Sequence, residues 1–196
     1  IKVKVLTLDL TSQEEVEKKL ISNKELIEEI DGILFPIGMM FENDTTNLDV
    51  KKIHDLISAN FSSIAFITSN FIRQKNEGTI TMFGSVSGYL GRSLNPYYAA
   101  AKRSLESYFE SISFENTKKK IRIQFYILGY LETNLSFGKK LMLPKGSVKK
   151  LSEKVFKNRN KKFKKFYFPA WWGIIIFILK FLPFNFLLIF NNIKKK

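Results

Sequence analysis

The 196-residue chain contains no cysteine and only one histidine, His54. The first absence excludes disulfide staples and thiolate metal sites, and one imidazole cannot build a metal centre alone, so no metal-ligating residue is assigned. His54 is expected on a half-exposed helix face. No secretory signal peptide is visible at the N-terminus. Acidic residues are outnumbered by basic ones, 18 to 32, for a net charge of +14. Such an excess ordinarily raises nucleic acid as a partner. Its distribution argues otherwise, because residues 1–117 are near balance and the excess lies in 118–165 and the last three positions. A basic block beside an apolar tail reads better as a contact with anionic lipid, so no nucleic-acid partner is assigned. A nucleic-acid groove would need aromatics interleaved with the lysines, and Phe163, Phe166 and Tyr167 are explained as easily by an edge strand.

The length suits one domain with a core of its own. Residues 1–10 alternate and are β-branched, which predicts a strand. A strand with no start methionine leads us to expect a chain that begins inside a domain. Ser12 followed by Glu15 forms a capping box for a helix with Val16, Leu20 and Ile21 as its apolar face. A second short helix over 24–30 leads to a buried strand at 32–35 and a polar loop at 39–47. Apolar residues recur at helical spacing from 50 to 75. Strands follow at 79–83 and 121–128, on either side of a loop at 84–96 and a helix at 97–116. The loop after Thr133, with Gly138, Pro144 and Gly146, suits a mobile substrate lid. Ser147 caps a helix with Val148, Leu151, Val155 and Phe156 inward, and residues 166–168 read as a last edge strand. Strands alternating with helices give a parallel α/β sheet, which binds ligands at the carboxyl ends of its strands.

The stretch from Gly84 to Lys102 carries the candidate chemistry. Tyr98 and Lys102 are one helical turn apart and share a face. A nearby ammonium stabilises a phenolate and lowers its pKa from about 10. Ser85, at the end of the preceding strand, can hydrogen-bond the oxygen that the tyrosine protonates. One Tyr-x-x-x-Lys in a chain this rich in both residues is expected by chance, so the pair needs its context.

The tail, 171–190, is broken only by Lys180, Pro183 and Asn185. A lysine at mid-bilayer costs about 2.5–3.5 kcal/mol, and Pro183 breaks the helix beside it. The favoured reading is two short apolar segments in one leaflet, with Trp171 and Trp172 at the headgroups and Lys180 snorkelling. A true span, and a tail packed on the protein or at a dimer interface, are the alternatives.

With these elements in order, residues 1–168 resemble the short-chain dehydrogenase/reductase superfamily. Asp9, in Leu8-Asp9-Leu10, resembles the family's strand-end aspartate that contacts the adenine. Asn60 matches the asparagine that holds a proton-relay water, and Ser85, Tyr98 and Lys102 match the other catalytic positions. Gly129 and Thr133 fit the Pro-Gly-x-x-x-Thr segment near the nicotinamide. Gly38 is what remains of the family's Asn-Asn-Ala-Gly, which reads Phe35-Pro36-Ile37-Gly38 here, and Leu128 replaces the proline before Gly129. The glycine-rich phosphate loop would precede residue 1.

The resemblance implies a Rossmann-like, doubly wound parallel sheet in a three-layer sandwich lacking the first β-α-β unit. It divides the chain into a partial Rossmann domain, 1–168, and a hydrophobic membrane-associating tail with a basic end, 169–196. It implies an NAD- or NADP-dependent oxidoreductase moving hydride between nicotinamide and a carbonyl or alcohol carbon. Tyr98 and Lys102 would also contact the cofactor, beside Asp9, Gly38, Gly129 and Thr133. Homodimerisation through the two long helices is the family habit. The tail is similar to a membrane-associated bacterial branch that includes the ketoreductase of decaprenylphosphoryl-ribose epimerisation. That likeness suggests a lipid-linked sugar or other lipid substrate at the cytoplasmic face of the membrane. A membrane-bound interaction protein that keeps the fold without activity is the alternative.

Overall fold

The structure, a computed structural model, describes residues 5–89, 94–116, 118–133, 135, 143–183 and 185. Residues 1–4, Gly138 and most of the expected lid, and 186–196 of the tail lie outside the described residues. The described elements run α1 (Gln13–Ser22), α2 (Lys24–Glu29), β1 (Gly32–Phe35), α3 (Val50–Ile57), a π-helical turn (Ser58–Ser62) and α4 (Ser63–Gln74). They continue as β2 (Glu77–Ser85), a 3₁₀ turn (Val86–Tyr89), α5 (Pro96–Glu115), β3 (Lys120–Leu128), α6 (Val148–Asn158), β4 (Lys164–Phe168) and α7 (Trp172–Phe181). The four described strands form one parallel sheet in the order β1-β2-β3-β4. This is the expected α/β architecture.

The register of β2 on β3 sorts the side chains between two layers. Ile80 stands beside Ile123 and Met82 beside Phe125, and these residues join Ile64, Phe71, Leu105 and Phe109 in the larger core under α4 and α5. Phe83 beside Tyr126 faces the other way and packs with Leu151 of α6 and Phe168 of β4. Residues one apart in a strand point to opposite faces, so helices on both sides bury both sets. Both central strands therefore read as near-continuous apolar runs.

Several expectations are corrected. Residues 5–9 pair with no described strand, and Val5 is 84% exposed. Alternation makes a strand only where a neighbour's backbone pairs with it, and none of the described strands pairs with residues 5–9. The helix expected over 50–75 is interrupted by the π turn, where one residue too many for regular α winding is accommodated. Ile21 is exposed, as are Val148 and Phe156; Val16 is the buried residue of α1, and Leu151 and Asn158 are those of α6. Ser12 caps α1 as expected through Glu15 N–H at 3.2 Å, but the Glu15 carboxylate accepts from Asp9 N–H instead of closing the box on Ser12.

The tail begins as part of the fold. Trp172 and Ile176 of α7 are buried in the larger core. Trp172 thus packs inside the protein, whereas Trp171 beside it is half-buried. No helix among the described residues is long and apolar enough to cross a membrane.

Candidate active site

The loop that follows β1 gathers three of the candidate residues through its backbone. Lys102 is buried, and its Nζ donates to the carbonyl of Ile37 at 2.9 Å and to that of Phe83 at 3.2 Å. Asn60 is fully buried on the π turn. Its Nδ2 donates to Met39 O at 2.7 Å and to Leu56 O at 2.9 Å, while its Oδ1 accepts Met39 N–H at 3.2 Å. The Tyr98 hydroxyl lies 4.0 Å from where a Cβ on Gly38 would stand. Lys102 Nζ is 5.9 Å from the centre of the Tyr98 ring. Residues 37–39 are therefore touched or approached by Asn60, Tyr98 and Lys102 from two different helices.

Ser85 closes β2 in register with Leu128, at the carboxyl end of the sheet. Its Oγ accepts twice from Ser87, from the hydroxyl at 2.8 Å and from the N–H at 3.2 Å. A hydroxyl has one hydrogen and two lone pairs. With both acceptor positions used, the hydrogen of Ser85 is left to donate to another group.

Lys102 carries the marked electrostatic feature of the site. Burial pulls its ammonium down to about 7, because the charged form is the one that loses hydration. Its charge at neutral pH therefore depends on the oxygen atoms around it, two of which are the Ile37 and Phe83 carbonyls. Lys102 is thus less firmly charged than its helical spacing to Tyr98 implies, because burial disfavours the ammonium.

Gly129 follows β3, and its N–H donates to Phe168 O at 2.8 Å. A Cβ there would fall inside the Trp172 indole, 2.5 Å from Cε2 and nearer still to Nε1 and Cδ1. The close approach of α7 requires glycine at this position. Thr133 N–H bonds back to Leu131 O at 2.9 Å, within the turn that leaves the sheet. Asp9 is exposed and caps its own turn, accepting from the N–H and hydroxyl of Thr11 at 2.9 and 2.8 Å, which holds its carboxyl below the usual range. Its neighbour Leu10 accepts from Ser63 Oγ at 2.8 Å, so this turn sits beside the start of α4, but no described contact joins Asp9 to the Tyr98 group.

Sequence reasoning missed the next layer. Glu106 of α5 is buried and accepts from Tyr89 Oη, from Arg103 at 3.0 Å and from Lys165 at 2.9 Å. It ties the turn after Ser85 to α5 and β4. The spacing of Arg103 and Glu106 on one helix face is visible in the sequence, but the partners on other elements are not.

A family model described as short chain dehydrogenase matches residues 1–141. The 3-oxoacyl-[acyl-carrier-protein] reductase FabG of Buchnera aphidicola (from Schizaphis graminum) is 28% identical over 135 residues, covering 66% of this chain and 54% of that protein. The Escherichia coli FabG is 26% identical over 136 residues, 68% of this chain and 56% of the relative. A hydroxysteroid 11-beta-dehydrogenase 1-like protein of Xenopus laevis is 26% identical over 138 residues, 67% of this chain and 47% of the relative. The chain thus spans about half the length of these curated relatives. Among solved structures, 4-hydroxyisoleucine dehydrogenase complexed with NADH superposes with a TM-score of 0.70 at 18% identity, covering 84% of this chain and 78% of that one. A bulky-bulky ketone specific alcohol dehydrogenase from Comamonas testosteroni gives 0.72 at 19% identity, over 85% and 66%. The two structures support the fold.

Proposed function

The chain belongs to the short-chain dehydrogenase family, and from that premise we propose that it is the catalytic part of an NAD(P)-dependent oxidoreductase acting on a carbonyl or alcohol carbon. The observation that carries the reading is the convergence of Asn60, Tyr98 and Lys102 on the backbone of residues 37–39. The residues present fit the nicotinamide end of such a cofactor. The charged Lys102, with two hydrogens on Ile37 O and Phe83 O, has a third to offer, and Gly38 leaves room beside the Tyr98 hydroxyl.

The bound nicotinamide would accept or supply the hydride. In the reducing direction Tyr98 Oη gives its proton to the carbonyl oxygen as that oxygen becomes an alkoxide. Ser85 Oγ donates its remaining hydrogen to the same oxygen. Lys102 Nζ, when charged, favours the phenolate left on Tyr98. Asn60, with both Nδ2 hydrogens and its Oδ1 engaged by backbone groups, holds the loop backbone at Met39 in place. A positioned proton donor is worth about 10²–10⁴ in rate, and donors aimed at the developing oxyanion add a comparable factor. In the full-length protein, Tyr98→Phe should leave the circular dichroism and melting temperature unchanged and reduce NAD(P)H-linked turnover of a ketone panel by at least about 10²-fold. Wild-type turnover in the variant would overturn the assignment, and no cofactor binding by the unaltered protein would favour the inactive interaction protein.

The substrate class we propose is a ketone on an apolar body, delivered at the cytoplasmic face of a membrane. The curated relatives' names refer to an oxoacyl chain and a steroid, which share that character. The observation behind the membrane setting is the outer face of α7, where Ile174, Phe177, Ile178 and Phe181 are between 55 and 73% exposed. Exposed lysines of β4 and the turn before it flank the same end of the chain. Apolar side chains enter the interface while lysines meet anionic headgroups. A lipid-linked ketosugar is the finer version of the same idea. Co-sedimentation should be strong with vesicles containing phosphatidylserine, weak with phosphatidylcholine alone, and lost in Phe177→Asp/Phe181→Asp. Equal behaviour of wild type and variant would remove the membrane from the proposal.

A further inference from the structure

The loop between β1 and α3 carries a carboxylate that the mechanism above leaves unused. Asp44 is fully buried. Its Oδ2 accepts the backbone N–H of Tyr98 at 2.9 Å and its Oδ1 that of Tyr97 at 3.3 Å. Its own carbonyl accepts Asn95 N–H at 2.8 Å. A helix begins with N–H groups that have no partner inside the helix, and the residue just before it usually supplies the acceptor. Here that residue is Asn95, whose backbone is left-handed, at φ 62°, and whose side chain makes no capping bond. The acceptor comes instead from a residue 54 positions upstream of Tyr98.

We propose that Asp44 is the positioning residue of Tyr98, fixing the first turn of α5 so that the phenol stands over Gly38. The proposal rests on the reading of Tyr98 as proton donor. Two features make a carboxylate suited to the task. Its two oxygens take two successive N–H groups at once, and its negative charge is favoured at the positive end of a helix. Geometry gives the consequence. Lys102 is anchored one turn further along α5 by Ile37 O and Phe83 O, whereas the turn carrying Tyr98 is pinned to the loop by Asp44. Loss of the pin loosens the turn that carries the proton donor, while Lys102 keeps its own anchors.

The test uses the full-length protein with Asp44→Ala, Asp44→Asn and each of these in a Tyr98→Phe background. Asn keeps one carbonyl acceptor and serves as the conservative rescue. Asp44→Ala should lower kcat by about 10–100-fold, the scale of a misplaced reacting group, with KM for the cofactor changed less than about 2-fold. Amide hydrogen exchange should accelerate at Tyr97 and Tyr98 and stay slow at Leu105 and Phe109. Asp44→Asn should regain most of both kcat and Tyr98 protection. In the Tyr98→Phe background, Asp44→Ala should cost nothing further. An Asp44→Ala enzyme with exposed Tyr98 amide and wild-type kcat overturns the proposal, as does a loss of equal size in the Tyr98→Phe background. If Asp44→Ala does not fold, Asp44→Asn and Asp44→Ser decide, since kcat must follow Tyr98 N–H protection across the series. Wild-type turnover by Tyr98→Phe alone would instead defeat the proton-donor reading, and amide exchange would still report on the cap.

Discussion

Replacing Gly129 by alanine separates two accounts of that glycine with opposite signs. Its φ lies outside the left-handed region, so alanine meets no backbone penalty. On backbone entropy alone, the substitution would stabilise the protein by about 0.4–1 kcal/mol. The added Cβ, however, would lie 2.5 Å or less from three atoms of the Trp172 indole, and non-bonded carbons prefer about 3.5–4.0 Å. Trp172 is buried against Trp171, ring centres 4.8 Å apart, and against the edge of Tyr130 at 5.8 Å. If the surroundings give way, overpacking costs about 1–3 kcal/mol. If the indole is expelled, the 150–250 Å² typical of a buried tryptophan at about 25 cal/mol per Å² sets an upper bound of roughly 4–6 kcal/mol. The indole Nε1 has no hydrogen-bond partner among the described residues, so steric release is not opposed by a polar contact. A loss of about 2–3 kcal/mol lowers the melting temperature of a domain this size by roughly 4–12 °C. Thermal unfolding followed by circular dichroism reads the stability. Tryptophan emission reads the packing, since both tryptophans of the chain adjoin the site. Emission should shift to the red in Gly129→Ala, and in a Trp172→Ala background the same change should be neutral or stabilising. An unchanged or raised melting temperature with unshifted emission would refute the packing of α7 on Gly129.

Two further outcomes follow from the site. Burial lowers the folded-state value of Lys102 from 10.5 to about 7, so between these values the unfolded chain binds more protons and stability rises with pH. Above about 10 the rise is opposed, because burial raises Tyr89, Tyr108 and Tyr126 and the unfolded chain loses phenolic protons first. Urea unfolding from pH 7 to 9.5 should therefore show a positive slope, up to about 1.4 kcal/mol per pH unit, that flattens in Lys102→Met; equal slopes would show that Lys102 is not the group responsible. Ser87→Ala removes the hydroxyl that donates to Ser85 Oγ at 2.8 Å. One such bond is worth about 1 kcal/mol, so kcat should fall roughly five-fold with cofactor affinity unchanged. A fall in affinity without a fall in kcat would place Ser87 outside the chemistry.

What the sequence reveals and conceals divides along one physical line. Periodicity reports burial, and it located β1, β2, β3 and α5 because each buries its apolar side chains on the sheet or within it. The four-residue spacing of Tyr98 and Lys102 was legible for the same reason, since helix geometry is local. Residues 5–9 misled because alternation describes a strand's faces and says nothing about whether a neighbour pairs with it. Asp44 was hidden in what read as a polar loop, since a buried carboxylate and a solvated one have the same letter. Lys102, Asn60 and Asp44 all make their decisive bonds to backbone atoms, of Ile37, Phe83, Met39, Tyr97 and Tyr98. Backbone partners carry no signature in side-chain identity, so no motif could point to them. Only the one glycine of the loop, Gly38, kept a trace of the family's pattern, at the point where the Tyr98 hydroxyl comes close. The residues that do chemistry were thus readable by type and spacing, while the loop that holds them in place required the fold.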